Sequence, residues 1–135
     1  MPGSPRIINR LDAERLQCLI DEGACERALA RPLEAVLARG EVLDPEEMPD
    51  DVVSMNSRVR CSDLETGRSL DRTLVYPRSL AAVEDGVSVL SPAGLALFSR
   101  RVGEVVDWPE RAGGVSRLRI DAILWQPERA RQYHR

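Results

Sequence analysis

The sequence predicts an α+β protein in which a short antiparallel helical hairpin precedes an antiparallel β-sheet domain carrying one short helix. Three observations predict it. Apolar residues keep helical spacing through the first third of the chain. An acidic segment punctuated by prolines, Asp44 to Asp51, then breaks that pattern. Beyond it, apolar and polar residues alternate with the period of two that belongs to half-buried strands.

The first helix is read from Leu16, Leu19 and Ile20, with Asn9 or Asp12 as its N-cap and Gly23 placed to end it. Leu29, Leu33, Val36 and Leu37 carry a second stripe that stops at Gly40. Pro32 fits only if this helix begins near it, because an interior proline removes a backbone donor and clashes with the preceding turn. Two amphipathic stripes with a short connection make a hairpin, and about 12 residues per arm gives a length of about 18 Å. The expected organisation is therefore a hairpin over residues 1–43, a linker over 44–52 and a sheet domain over 53–135.

Within the sheet domain, Val53, Met55, Ser57, Val59 and Cys61 alternate with polar neighbours and predict a first strand. Glu65, Thr66 and Gly67 form a turn, and Leu70, Leu74 and Tyr76 a second strand ended by Pro77. A third strand spans Gly86 to Leu90. Ser91 and Pro92 are placed as N-cap and first helical residue of a two-turn helix with Leu95 and Phe98 on one face. Strands over Glu104–Trp108 and Val115–Gln126 follow, joined at Gly113–Gly114, with Leu118, Ile120, Ala122 and Leu124 as the inward face. The short helix should cover the apolar side of the sheet, since little else in the chain could.

Charge and composition narrow the function. The 135 residues include 19 basic side chains, all Arg, against 22 acidic ones, for a formal net charge of -3. That balance offers no overall attraction to phosphate backbones, so direct nucleic-acid binding by this chain alone is not expected. Cys18, Cys25 and Cys61 are too far apart for a zinc pattern and odd in number, which points to a reducing compartment. No apolar run is long enough for a membrane span and the first residues lack a signal-peptide core, so a cytoplasmic protein with no membrane partner is expected.

Catalytic patterns are missing. The chain has no phosphate-loop, dinucleotide-turn, HExxH or GxSxG motif, and its one histidine, His134, stands one residue from the end. Nothing calls for a cofactor, and no metal site or catalytic residue is assigned. Asp21, Glu22 and Glu26 fall near the hairpin tip, where two converging carboxylates could hold magnesium. A solvated tip is the simpler account of the same charges. Arg58, Arg60, Arg117 and Arg119 could form a basic stripe across the sheet. Pairing with Asp63, Asp71 or Asp121 would neutralise it, and the negative total charge favours that account.

The ordered text of the chain carries a further signal. DDVVSMNSRVR (Asp50 to Arg60), TLVYP (Thr73 to Pro77), SVLSPAGLAL (Ser88 to Leu97), RVGEVVDWP (Arg101 to Pro109) and the late QPE resemble the regulator of nucleoside diphosphate kinase family, Rnk, as does INRLDAERL in the first half. The strings are long and collinear and span nearly the whole chain. The resemblance implies a relative of the GreA and GreB transcription factors, with a sheet domain of the FK506-binding-protein (FKBP) type that docks on RNA polymerase near its secondary channel. It further implies polymerase contact at Ser91, Pro92, Gly94 and Leu95, the family's SPxG segment. A capped helix start with Leu95 in the core accounts for the same residues. Cleavage factors of that group carry tip carboxylates to the polymerase active site on a long coiled coil. With the shorter hairpin here, the resemblance implies a non-enzymatic regulator that binds polymerase and competes with Gre factors without stimulating cleavage, and a monomer is expected. Cleavage stimulation through magnesium at the tip is the alternative, and a prolyl isomerase, suggested only by the fold, finds no convergent aromatic pocket to support it.

Overall fold

The computed structural model describes residues 6–23, 27–109 and 114–127. Helix α1, Arg10–Asp21, is capped by Asn9, whose side chain accepts from the Leu11 amide at 2.8 Å. Gly23 ends it with φ +69°, a left-handed conformation that costs glycine nothing. Helix α2, Arg27–Arg39, packs on α1. Leu16 of α1 and Leu33 of α2 are fully buried, with Leu19, Ile20, Val36 and Leu37 half-buried around them. Pro32 lies inside α2, five residues past its start, and not near its beginning as the sequence suggests.

Strands β1, Ile7–Asn9, and β2, Glu41–Leu43, flank the helices and pair in parallel, Ile8 opposite Val42. The sequence reading missed both, because three residues are too few to display a period of two. Gly40 is required between α2 and β2. A Cβ there would stand 2.3 Å from the Ile8 side chain and 3.0 Å from the Val36 carbonyl oxygen.

Residues 44–52 lead into the sheet through a single 3-10 turn, Pro45–Glu47. The expected strand from Val53 begins only at Arg58, as β3, Arg58–Asp63. Its first residues are taken elsewhere. The Val53 amide donates to the Arg100 carbonyl at 2.8 Å, and the Val53 carbonyl accepts from Ser99 at 2.9 Å. Asn56 then breaks the extended run with φ +66°.

Strands β4, Ser69–Val75, β5, Gly86–Ser88, β6, Val105–Pro109, and β7, Val115–Trp125, complete a five-stranded sheet of order β5-β4-β3-β7-β6. Its pairs are antiparallel except β4–β5, which run parallel and correct the expectation of a wholly antiparallel sheet. The parallel pair is possible because a 3-10 crossover, Pro77–Ala82, returns the chain to the same end. Helix α3, Pro92–Leu97, contacts both edge strands, β5 and β6, so the sheet curls around it.

The β3–β7 pair has two register shifts, and the one between Arg60 and Cys61 decides which side chains of β7 enter the core. Cys61 stands opposite Ile120 and Arg60 opposite Ala122, which leaves Asp121 as an extra residue. The phase shifts by one beyond it. Ile123 is therefore buried, while Leu124, expected inward, is 39% exposed. A single cluster of buried side chains runs from Ile8, Leu16 and Leu33 through Met55, Tyr76 and Phe98 to Ile120 and Ile123. Among the described residues, no helix is long and apolar enough to cross a membrane.

Candidate functional site

Ser91, Pro92, Gly94 and Leu95 open helix α3. The Ser91 hydroxyl accepts from the Gly94 amide at 3.1 Å and donates to the Ser88 carbonyl at 2.6 Å, so it is fully used as a cap. Pro92, at the first helical position, is exposed. Gly94 is buried, and a Cβ there would sit 1.9 Å from the Ser88 carbonyl oxygen. Its role is to let α3 lie directly on the end of β5. Leu95 is half-buried against the core. Of the four residues, Pro92 is exposed, Ser91 and Leu95 are half-buried and Gly94 is buried.

A groove of about 470 Å3 runs beside this helix start, lined by Leu80, Val87, Ser91, Pro92, Trp108 and Pro109. Leu80 is 43% exposed. Sequence reasoning found Ser91 and Pro92 but not Leu80, Trp108 or Pro109. The curl of the sheet brings its two edges to one groove, and no local pattern records that closure. The one available signal was an apolar Leu80 in a segment with no strand or helix period of its own.

At the end of α1, Asp21 and Glu22 are exposed, Glu22 lining a cavity with Tyr76, Pro77 and Arg78, and the Gln17 side-chain amide donates to Asp21 at 3.0 Å. Glu26 lies outside the described residues, as do Cys25 and His134. No group of three histidine, cysteine or carboxylate side chains is placed to hold a metal among the described residues.

The outer face of the sheet is a ladder of ion pairs. Arg60 makes two bonds to Asp71, at 2.9 and 3.1 Å, and Arg58 reaches Asp85 at 3.1 Å and Asp71 at 3.7 Å. Arg119 bonds Asp121 at 2.9 Å, and the Ser62 hydroxyl also donates to Asp121. Arg60 beside Asp71, and Ser62 with Arg119 beside Asp121, hold those two carboxyls below their usual range. Asp63 takes no part in the described pairs. It closes the following turn by accepting from the Glu65 and Thr66 amides, and Asp85 is the partner the sequence did not suggest. Arg117 stands opposite Asp107 in the β6–β7 ladder. A face neutralised in this way is poorly suited to phosphate backbones.

Two buried acids titrate upward. Burial, with Asp121 nearby, raises the Cys61 thiol from its ordinary 9.0 to about 11. Tyr76 is raised by burial and then by Asp12 beside it. Both are held neutral in the fold: the stability Cys61 contributes is complete below about pH 9 and lost as pH climbs through about 11, and that of Tyr76 is lost only at higher pH still. The melting temperature is expected to be flat from neutral pH to about 9 and to fall steeply above it. In a Cys61→Val variant the fall should be shallower, and an identical slope would remove Cys61 as a cause.

The geometry described so far is matched by known proteins. Residues 48–124, from the linker to near the end of β7, match the family model described as transcription elongation factor GreA/GreB, C-terminal. The chain belongs to the GreA/GreB family. Within that family it stands with the regulators of nucleoside diphosphate kinase. It is 41% identical over 128 residues to the regulator of nucleoside diphosphate kinase of Escherichia coli strain K12, covering 94% of each chain. It is 35% identical over 74 residues to the transcription elongation factor GreA of Thermodesulfovibrio yellowstonii, covering 55% of this chain and 47% of that one. The GreA/GreB-type elongation factor structure from Nitrosomonas europaea superposes with a TM-score of 0.79 at 39% identity, covering 91% of this chain and all of that one. The relatives named here are regulators or elongation factors, and none is named as an enzyme. The GreA match covers little more than half of this chain, whereas the regulator match extends over the helices as well.

Proposed function

We propose that this protein is a transcription regulator that binds RNA polymerase near its secondary channel and competes there with Gre factors without stimulating cleavage. The observation that carries this reading is the groove beside Ser91 and Pro92, an apolar surface inside the segment matched to the GreA/GreB C-terminal family. On this reading the chain acts as a monomer whose FKBP-like sheet domain, 53–135, docks, while the hairpin of residues 1–43, joined through the 44–52 linker, is turned toward the channel. The ion-paired outer face supports a protein partner over direct nucleic-acid contact. Helices of 12 and 13 residues span about 18–20 Å, which supports occupancy of a channel mouth without delivery of carboxylates deep inside it.

Binding of the purified protein to bacterial core RNA polymerase, with and without a competing Gre factor, tests the reading directly. Displacement is expected, and no binding at micromolar concentration would overturn it. Pro92→Asp puts a charge on the exposed rim of the groove and should weaken binding about tenfold while leaving the melting temperature in place. The combined change Asp21→Ala with Glu22→Ala should leave RNA cleavage in a stalled transcription complex at its background level. If the unaltered protein stimulates cleavage and this variant does not, the tip carries the magnesium-dependent activity and the regulator-only reading fails.

A further inference from the structure

We propose that Asp12 is a positioning residue whose buried carboxylate locks the α1–α2 pair in one direction relative to the sheet, so that the helix tip is carried by a rigid body and not by a hinged arm. A carboxylate in the first turn of a helix is ordinarily accounted for by the helix dipole or by capping. Here Asn9 already caps α1. Asp12 is instead turned inward, 4% exposed, and engaged with two distant parts of the chain. One of its oxygens accepts from the Met55 backbone amide at 3.0 Å, and the other from the Tyr76 hydroxyl at 3.4 Å.

The placement of those two partners makes the contact a lock. Met55 lies on the segment that feeds β3, and Tyr76 follows the last residue of β4. Two anchors at separate points oppose rotation of α1 about either one. Met55 and Tyr76 are themselves buried, so water cannot replace the bonds during a swing, and a buried donor or carboxylate without a partner is costly. Arg15, one turn along α1, also bonds the Tyr76 hydroxyl and ties the same helix to the same anchor.

Two further contacts close the remaining freedom. Arg6, ahead of β1, donates from Nε to the Ser99 hydroxyl at 2.7 Å and also bonds the Phe98 carbonyl. Gln126, after β7 and 1% exposed, donates to the Pro49 and Val52 carbonyls at 3.1 and 2.8 Å. The linker that could serve as a hinge is thus pinned to the sheet domain near its far end. For its consequence, a fixed approach of the tip to the polymerase, the inference rests on the proposed function. The lock itself does not.

Residual dipolar couplings of backbone amides in the full chain test it. In the unaltered protein, couplings from α1, β3, β4 and β7 should fit one alignment tensor. In Asp12→Ala the sheet should keep its tensor while α1 requires a separate and weaker one. Asp12→Asn, which retains an acceptor for the Met55 amide, should restore the common tensor, a rescue that a purely structural role for the charge would not give. Tyr76→Phe keeps the ring and removes one anchor, so it should weaken the alignment of α1 by less than Asp12→Ala does. Two tensors in the unaltered protein would overturn the proposal whether or not any variant folds. An unchanged common tensor in both Asp12→Ala and Tyr76→Phe would overturn it as well. Polymerase binding is measured separately, so a protein that fails to bind but keeps one tensor refutes the proposed function and leaves the lock standing.

Discussion

Gly94→Ala is expected to destabilise the protein by about 3 kcal/mol and to disrupt the groove beside Ser91 and Pro92, although it adds a single methyl group. The added Cβ would stand 1.9 Å from the Ser88 carbonyl oxygen, 2.6 Å from the Ser88 carbonyl carbon and 3.0 Å from the Val89 Cα. All three are backbone atoms, so no flexible side chain can give way. Either α3 lifts from β5 or the end of β5 is displaced. Each movement breaks the Ser91 cap, which depends on Ser88 and Gly94 together. It also opens the groove between Leu80, Pro92 and Trp108. Thermal unfolding and polymerase binding, measured on the same preparation, should both fall. Unchanged stability would mean that α3 does not pack on β5 as described.

Leu16→Ala is expected to cost about 2–5 kcal/mol, the range for deleting a fully buried leucine whose surroundings cannot collapse onto the space. Leu16 belongs to α1 but is buried in one cluster with Met55, Tyr76 and Phe98. The loss should therefore lower a single cooperative transition, by roughly 10 °C, for the helices and the sheet together. Helical circular dichroism and Trp fluorescence should report the same midpoint, because Trp108 and Trp125 lie on β6 and β7. Separate midpoints, with the helices melting first, would show that the two parts fold independently and would contradict a shared core.

Much of the secondary structure was legible because it is written locally. Ser91-Pro92 at the start of α3 and Asn9 ahead of α1 are capping signals contained in two or three consecutive residues. The β3–β4 pair announced itself through alternation around a polar turn. Where local rules failed, a distant partner had taken over. Val53 reads as strand, yet its backbone bonds go to Ser99 and Arg100. Leu124 reads as inward, yet the bulge at Asp121 turns it out. The chemistry of Asp12 was the least legible, since an acidic residue near a helix start has a sufficient local explanation as a cap.

By itself, then, the sequence determined the fold class, the capped start of α3 with its Ser91 and Pro92, and, through long collinear strings, the family. These depend on residue types and short spacings, which a linear text preserves. Only the tertiary structure decided that Leu80 and Trp108 share a groove with Pro92, that Asp85 completes the outer ion-pair ladder, and that Asp12 ties α1 to Met55 and Tyr76. Each of those is a contact between residues far apart in the chain, set by the curl of the sheet and the packing of one core. No periodicity in the sequence encodes such a closure.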